Sequence, residues 1–148
     1  MNLHRSILLI EDNPSDIALA KRALEKGRIA NHLVVAEDGQ EALDYLLGGR
    51  EDAAAPRPEP PALILLDLKL PKVPGFEVLR RLRANAATRR LPVVILTSSK
   101  QEEDLANSYD LGANSYVRKP VDFQQFAQAI EQLGLYWLVL NEPPPKVK

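Results

Sequence analysis

The chain alternates between short, unbroken apolar runs and longer segments in which apolar residues recur every three or four positions. Apolar runs of four or five residues are typical of strands buried on both faces of a parallel sheet, and they are too short to span a membrane. The clearest run occupies residues 63–66 and ends in a single acid, Asp67. The pattern predicts strands at residues 6–10, 32–36, 63–66, 92–96 and 116–118.

Polar residues indicate where the intervening helices begin, because a side-chain oxygen or a carboxylate can accept hydrogen bonds from the free amides of a first helical turn. Glycines at positions 27, 48 and 112 are expected to end the first, second and fourth helices. The predicted apolar face of the last helix is Phe123, Phe126, Ile130, Leu133 and Trp137, and that of the fourth carries Leu105 and Tyr109. The start signals are Asn13-Pro14, Asp38 with Glu41, Ser99 with Glu102, and Asp122 with Gln125.

Strand and helix therefore alternate five times, which predicts an α/β fold: a (βα)5, flavodoxin-like, doubly wound parallel sheet. The expected strand order is 2-1-3-4-5, which places the first and third strands side by side. We expect one domain over residues 1–148, with a core at about 5–133 and an extension at 134–148. Residues 48–61 contain four prolines and no periodicity, and are interpreted as a surface loop.

The composition of the chain excludes several classes of function. The 19 basic and 20 acidic residues leave a net charge of −1, so no electrostatic footprint for nucleic acid is present. The chain has no cysteine, which excludes disulfides, zinc–thiolate sites and thiol nucleophiles. His4 and His32 have no metal-ligand neighbour at usable spacing. With no signal-peptide pattern and no apolar run long enough for a membrane helix, we expect a soluble, cytoplasmic protein.

Polar residues also follow the predicted strands: Glu11 and Asp12, Asp67, Thr97 and Lys119. Because the carboxyl ends of parallel strands meet at one edge of a sheet, these side chains are expected to converge. Any one of them, including Asp67, could instead cap a turn. Five such residues at one edge make that interpretation less favoured than a binding site.

Three carboxylates close together repel one another unless a cation neutralises them, and oxygen ligands favour a hard ion such as Mg²⁺. We expect Asp12 to ligate the ion directly and Glu11 to act through water, because adjacent strand residues point to opposite faces. A carboxylate can attack phosphorus in line, so Asp67 is the candidate nucleophile. Lys119 would neutralise phosphoryl oxygens, and the Thr97 hydroxyl would donate a hydrogen bond to one.

These motifs resemble the receiver domain of two-component response regulators over residues 5–133. The resemblance rests on the Glu11-Asp12 pair, on Asp67 with Pro71 and Gly75 after it, on Thr97, and on the segment 116–120. It implies that a histidine kinase phosphorylates Asp67 and that the backbone carbonyl of Lys69 joins Asp12 and Asp67 around Mg²⁺. It also implies that Thr97 and Tyr116 form the switch and that the Lys119–Pro120 bond is cis.

Departures from the family pattern are small. Glu11 stands where aspartate is commoner, while Lys69 and Ser99 occupy positions that flank the path of an attacking water and leave the phosphoryl lifetime open. The resemblance describes a signalling domain rather than an enzyme. Alternatives are a phosphorelay intermediate and a magnesium-dependent aspartyl-phosphate phosphatase of the haloacid dehalogenase kind, but the latter needs a second aspartate where Lys69 stands.

The C-terminal segment is apolar up to Leu140 and then rich in proline. Together with the loop at 48–61, it resembles the stand-alone regulators paired with bacterial phytochrome kinases, which makes a bacteriophytochrome the expected partner. Two structures are compatible with the sequence. The last helix could continue to about Trp137 and extend as an arm that forms a homodimer, or the segment could fold back on its own domain.

Overall fold

The computed structural model describes residues 5–27, 31–48, 59–119 and 122–145. Most of the predicted 48–61 loop and the Lys119–Pro120 bond lie outside these residues. The helices are α1 (Pro14–Lys26), α2 (Gly39–Leu47), α3 (Gly75–Ala84), α4 (Glu102–Asp110) and α5 (Phe123–Leu135), and a π-helical turn follows at Tyr136–Leu140. The strands are β1 (Ile7–Ile10), β2 (Leu33–Ala36), β3 (Leu63–Leu66), β4 (Val93–Thr97) and β5 (Ser115–Arg118).

The five strands form one parallel sheet in the order β2-β1-β3-β4-β5, as predicted. Alternate residues of each strand point to opposite faces, so each buried run contributes to two cores. Leu8, Ile64 and Ile95 pack on the side of α2 and α3, whereas Leu9 and Leu65 pack on the side of α1 and α5. This two-sided burial is why β1 and β3 are entirely apolar and why β4 is apolar up to Thr97, its last residue.

Three of the predicted helix starts are confirmed by hydrogen bonds. The Asn13 side chain accepts from the Ser15 and Asp16 amides at 2.9 and 3.2 Å. Asp38 accepts from the Glu41 amide at 2.7 Å, and Asp122 caps α5 in the same way. Each acceptor satisfies donors that have no partner within their own helix.

The prediction that Ser99 caps α4 was wrong. The helix begins at Glu102 after Gln101, which makes no side-chain cap. Ser99 is buried and its hydroxyl donates to Asp104 Oδ2 at 2.5 Å, so it ties the β4–α4 loop to the helix rather than starting it. A serine followed three residues later by glutamate predicts a cap, but here the Ser99 hydroxyl binds Asp104, an acid in the first turn of the helix.

Two aromatic residues assigned to helix faces are not in the core. The exposed fraction is 71% for Phe123 and 49% for Tyr109. Helical spacing places a residue on a face of the helix, but it does not show whether that face is covered. Helix α4 lies beside the edge strand β5, and Ser108 is the one buried residue that the structure describes in this helix. Little sheet surface is available for its side chains to cover.

The C-terminal segment continues the last helix and contacts its own domain. Helix α5 ends at Leu135 and widens into the π-helical turn, in which Leu138 is 1% exposed within the α1–α5 core. Pro144 and Pro145 lie beside Arg5 and Pro92, the residues that precede β1 and β4, and so reach the amino ends of these strands. This part of the extension packs on its own domain. The helices that the structure describes include no candidate for a membrane span.

Candidate phosphoacceptor site

The parallel register brings the polar strand ends to one edge of the sheet. Ile10 of β1 is level with Leu66 of β3, so Glu11 and Asp67 emerge side by side. The Asp67 amide donates to the Ile10 carbonyl at 3.1 Å, and the Lys119 amide donates to the Thr97 carbonyl at 2.7 Å. These bonds continue the sheet ladder by one residue beyond each strand, and they fix where the functional side chains start.

Three acids lie close together at this edge. Each acid contributes one carboxylate oxygen to a group in which all three oxygens lie within 4.8 Å of one another; the acids are Glu11, Asp12 and Asp67. Glu11 and Asp67 are buried and Asp12 is exposed, so the cluster opens to solvent on one side. The adjacent residues Glu11 and Asp12 both belong to it because β1 has ended at Ile10 and the chain has begun to turn.

The Lys119 ammonium group lies among these acids. Its nitrogen forms ion pairs with Glu11, with Asp16 Oδ2 at 2.8 Å and with Asp67 Oδ2 at 3.1 Å. An ammonium group has three donors, so three carboxylates can use all of them. Asp16 was not among the predicted site residues. The available signal was an acid in the first turn of the helix that leaves the site, but that signal also describes an ordinary helix-dipole contact.

The surroundings of the site raise the pKa of both Glu11 and Lys119. Burial raises the pKa of Glu11, and the nearby Asp67 charge adds to this, although the hydrogen bond from Lys119 opposes both. Burial alone would lower the pKa of Lys119, but hydrogen bonds to Asp16 and Glu11 and the Asp67 charge raise it overall. Lys119 therefore remains a cation at neutral pH. The excess of carboxylates over this single ammonium leaves the site electronegative.

The donor set fits a hard divalent cation such as Mg²⁺. All candidate ligands are carboxylate oxygens, and the exposed Asp12 leaves room for water or phosphate. Glu11 Oε2 already accepts from the Asp12 and Asn13 amides at 3.1 and 3.2 Å, while Oε1 accepts from Lys119. Direct ligation by Asp12 and Asp67, with Glu11 acting through water, stays a prediction. The Lys69 amide donates to Asp67 Oδ1 at 3.4 Å, while the role of its carbonyl stays a prediction.

The two proposed switch residues lie beside the site. Thr97 is fully buried at the end of β4, and its hydroxyl oxygen accepts from the Ser99 amide at 3.4 Å. Tyr116 is half-buried against the α2–α3 core, and its hydroxyl donates to the Ser99 carbonyl at 3.5 Å. The β4–α4 loop thus contacts both residues. Rearrangement of Thr97 and Tyr116 on phosphorylation remains a prediction.

Fold and site together define a class of protein, and comparison with known families agrees. The family model for the response regulator receiver domain matches residues 7–131, and the chain belongs to this family.

Three relatives are similar along nearly their whole length. Response regulator Rcp1 of Synechocystis is 36% identical over 137 residues, covering 93% of this chain and 91% of Rcp1. Its Mn²⁺-bound structure has a TM-score of 0.85 and covers 95% of this chain and 99% of Rcp1. The phosphorylated cyanobacterial phytochrome response regulator RcpA is 39% identical with a TM-score of 0.87, covering 96% and 99% of the two chains. The bacteriophytochrome response regulator AtBRR is 53% identical with a TM-score of 0.69, covering 93% and 98%.

Proposed function

We propose that this protein is a response regulator that accepts a phosphoryl group from a histidine kinase on Asp67 and then changes the surface it presents. The observation that carries the proposal is the position of Asp67, whose carboxylate belongs to an acidic cluster able to hold Mg²⁺ and also contacts the Lys119 ammonium group. A carboxylate beside an ammonium group and a site for a divalent cation can receive a negatively charged phosphoryl group, because both positive charges would stabilise the phosphoryl oxygens.

In the proposed reaction, one Asp67 oxygen attacks phosphorus in line. The bond from phosphorus to the imidazole nitrogen of the kinase breaks, and its electron pair leaves with the imidazole. Bound Mg²⁺, held by Asp12, Asp67 and the Lys69 carbonyl, would supply positive charge to the phosphoryl oxygens. Lys119 supplies a second charge, and the Thr97 hydroxyl donates to a third oxygen. Water later cleaves the acyl phosphate, so the protein acts on its own phosphoryl group and not on a separate substrate.

The proposed signal then passes through Thr97 and Tyr116. As the Thr97 hydroxyl moves to the phosphoryl group, its contact with the Ser99 amide is lost and the β4–α4 loop can move. The Tyr116 ring, which is hydrogen-bonded to the same loop, would turn inward with it. The surface formed by α4, β5 and α5 would change as a result.

The kinase is proposed to be a bacteriophytochrome, and the exchange is proposed to take place in the cytoplasm. Support for this partner comes from the phytochrome relatives RcpA and AtBRR, which match 96% and 93% of this chain.

We also propose a homodimer formed through the C-terminal region. Leu135, Tyr136 and Leu140 are 50%, 50% and 67% exposed, although Leu138 of the same turn is buried. Such a band of exposed apolar side chains is typical of a protein interface. A Leu135→Lys, Leu140→Lys variant should have half the solution mass of the wild type by light scattering. A monomeric wild type, or an unchanged dimer in the variant, would contradict this proposal.

The phosphoacceptor proposal is tested with a small-molecule phosphodonor and Mg²⁺. Intact-mass spectrometry should show one added phosphoryl group that is stable in acid and labile in base. Asp67→Asn should abolish the adduct, and chelation of Mg²⁺ should suppress it. Asp110→Asn, an exposed acid at the end of α4, serves as the matched control and should react normally. An adduct that persists in Asp67→Asn would refute the assignment.

A further inference from the structure

The ion pair between Lys119 and Asp16 has no role in the reaction described above. Asp16 lies in the first turn of α1, where its own amide is held by the Asn13 side chain at 3.2 Å. Its Oδ2 atom is 2.8 Å from the Lys119 nitrogen, shorter than the 3.1 Å contact to Asp67. The carboxylate is therefore anchored to a helix start and directed at the lysine of the proposed phosphoryl site.

We infer that Asp16 is a positioning residue: it holds the Lys119 ammonium on the α1 side of the site and so keeps Glu11 and Asp67 available to a divalent cation. The inference rests on the proposed function, because it concerns the same metal and phosphoryl site. Asp16 is outside the three-residue acidic group that can surround the ion. It acts on the ion through the lysine and through its own charge.

Competition between two cations is the first part of the argument. The ammonium group donates to Glu11 Oε1 and Asp67 Oδ2, and Asp67 is also a proposed metal ligand. With three acceptors, no single carboxylate has the whole ammonium charge. Removal of the Asp16 charge would leave Lys119 paired with Glu11 and Asp67 alone. The metal would then have to displace a more strongly held lysine.

Net charge is the second part. Glu11, Asp12, Asp16 and Asp67 face one ammonium group, and Asp16 Oδ2 is within about 6 Å of Asp67 Oδ2 because both contact the same nitrogen. Loss of one negative charge at that distance weakens attraction for a divalent ion even if nothing moves. Both effects act in the same direction, so the sign of the expected change does not depend on their proportions.

The first test is a calorimetric Mg²⁺ titration of the full chain without phosphodonor. Asp16→Asn should raise the Kd for Mg²⁺ about threefold to tenfold, and Asp16→Glu, which restores the charge, should recover part of the loss. Asp110→Asn removes one charge from an exposed acid at the end of α4, outside the acidic group that can surround the ion, and should leave the Kd within about twofold of wild type, because solvent and salt screen an exposed charge. An unchanged or lower Kd in Asp16→Asn overturns the inference. Circular dichroism verifies the fold, and Asp16→Ser provides a second neutral variant.

The second test asks whether Asp16 acts through Lys119. In a Lys119→Met background, Asp16→Asn should raise the Kd by a smaller factor than in the wild type, since only the charge effect remains. If Asp16→Asn raised the Kd by the same factor in both backgrounds, Asp16 would act only through its own charge, and the positioning role would be refuted. Failure of the proposed function is a separate result: wild type would then bind Mg²⁺ but form no adduct with the phosphodonor.

Discussion

Gly75 offers a direct test of how the phosphoacceptor is held in place. This buried glycine is the first residue of α3, and its amide donates to the Leu68 carbonyl at 3.0 Å. A Cβ atom added there would lie 2.3 Å from the Asp67 carbonyl oxygen and 2.7 Å from the Leu68 Cα. Gly75→Ala therefore pushes the start of α3 against the backbone that carries Asp67.

Two effects of opposite sign decide the result. Alanine reduces the conformational entropy of the unfolded chain, which alone would stabilise the fold by about 0.4–1 kcal/mol. The collision involves backbone atoms on both sides, and normal carbon contacts are near 3.5 Å, so one segment must move by about 1 Å. Strain of this kind costs about 1–3 kcal/mol. We expect net destabilisation of about 1 kcal/mol, which corresponds to a Tm lower by about 2–4 °C for a chain of this size.

Urea denaturation and the phosphodonor assay together measure the effect. Because a displacement of this size moves the Asp67 carboxylate, the phosphorylation rate should fall on the order of tenfold or more. Gly27→Ala is the matched control: its added Cβ would meet mainly the flexible Glu131 side chain, at 3.1 Å, and its φ of −77° suits alanine. A Gly75→Ala protein as stable and as reactive as wild type would refute the close-approach argument.

Three further predictions concern the scaffold. Arg83 donates to three backbone carbonyls and to Asn114, so Arg83→Met should lower the free energy of unfolding by about 2–4 kcal/mol in chemical denaturation. Leu138→Ala should lower the free energy of unfolding by about 2–5 kcal/mol, whereas Leu140→Ala should lower it by less than about 0.5 kcal/mol. The reason is that Leu138 is 1% exposed and Leu140 is 67% exposed. Equal losses of stability would contradict the packing of the C-terminal turn on the domain. Hydrogen bonds from the two following arginines lower the pKa of Glu77 to about 2 from an ordinary 4.5, so its contribution is present above pH 4.5 and is lost as the pH falls toward 2. Glu77→Gln should flatten this part of the stability–pH curve slightly, since the pair is exposed.

The sequence predicted more of the sheet than of the last two helices. Continuous apolar runs identified the strands because a parallel strand buried on both faces has no other pattern. The capping role of Ser99 and the burial of Phe123 and Tyr109 were predicted from spacing alone, but spacing does not show which acceptor a hydroxyl finds or which surface lies opposite a helix. Ser99 contacts Asp104, and the two aromatic side chains are largely exposed. Local periodicity carries no information about the neighbouring surface.

By itself, the sequence determined which residues stand at the carboxyl edge of the sheet. Alternation of strands and helices, with polar residues at the carboxyl ends of β1, β3, β4 and β5, sends Asp67 and its partners to the same side of any right-handed parallel fold. Only the tertiary structure decided how they pair. Lys119 and Glu11 are 108 positions apart, and Asp16 joins the same ammonium group from a helix start. Such contacts depend on side-chain direction and distance across three elements, which spacing along one chain does not encode.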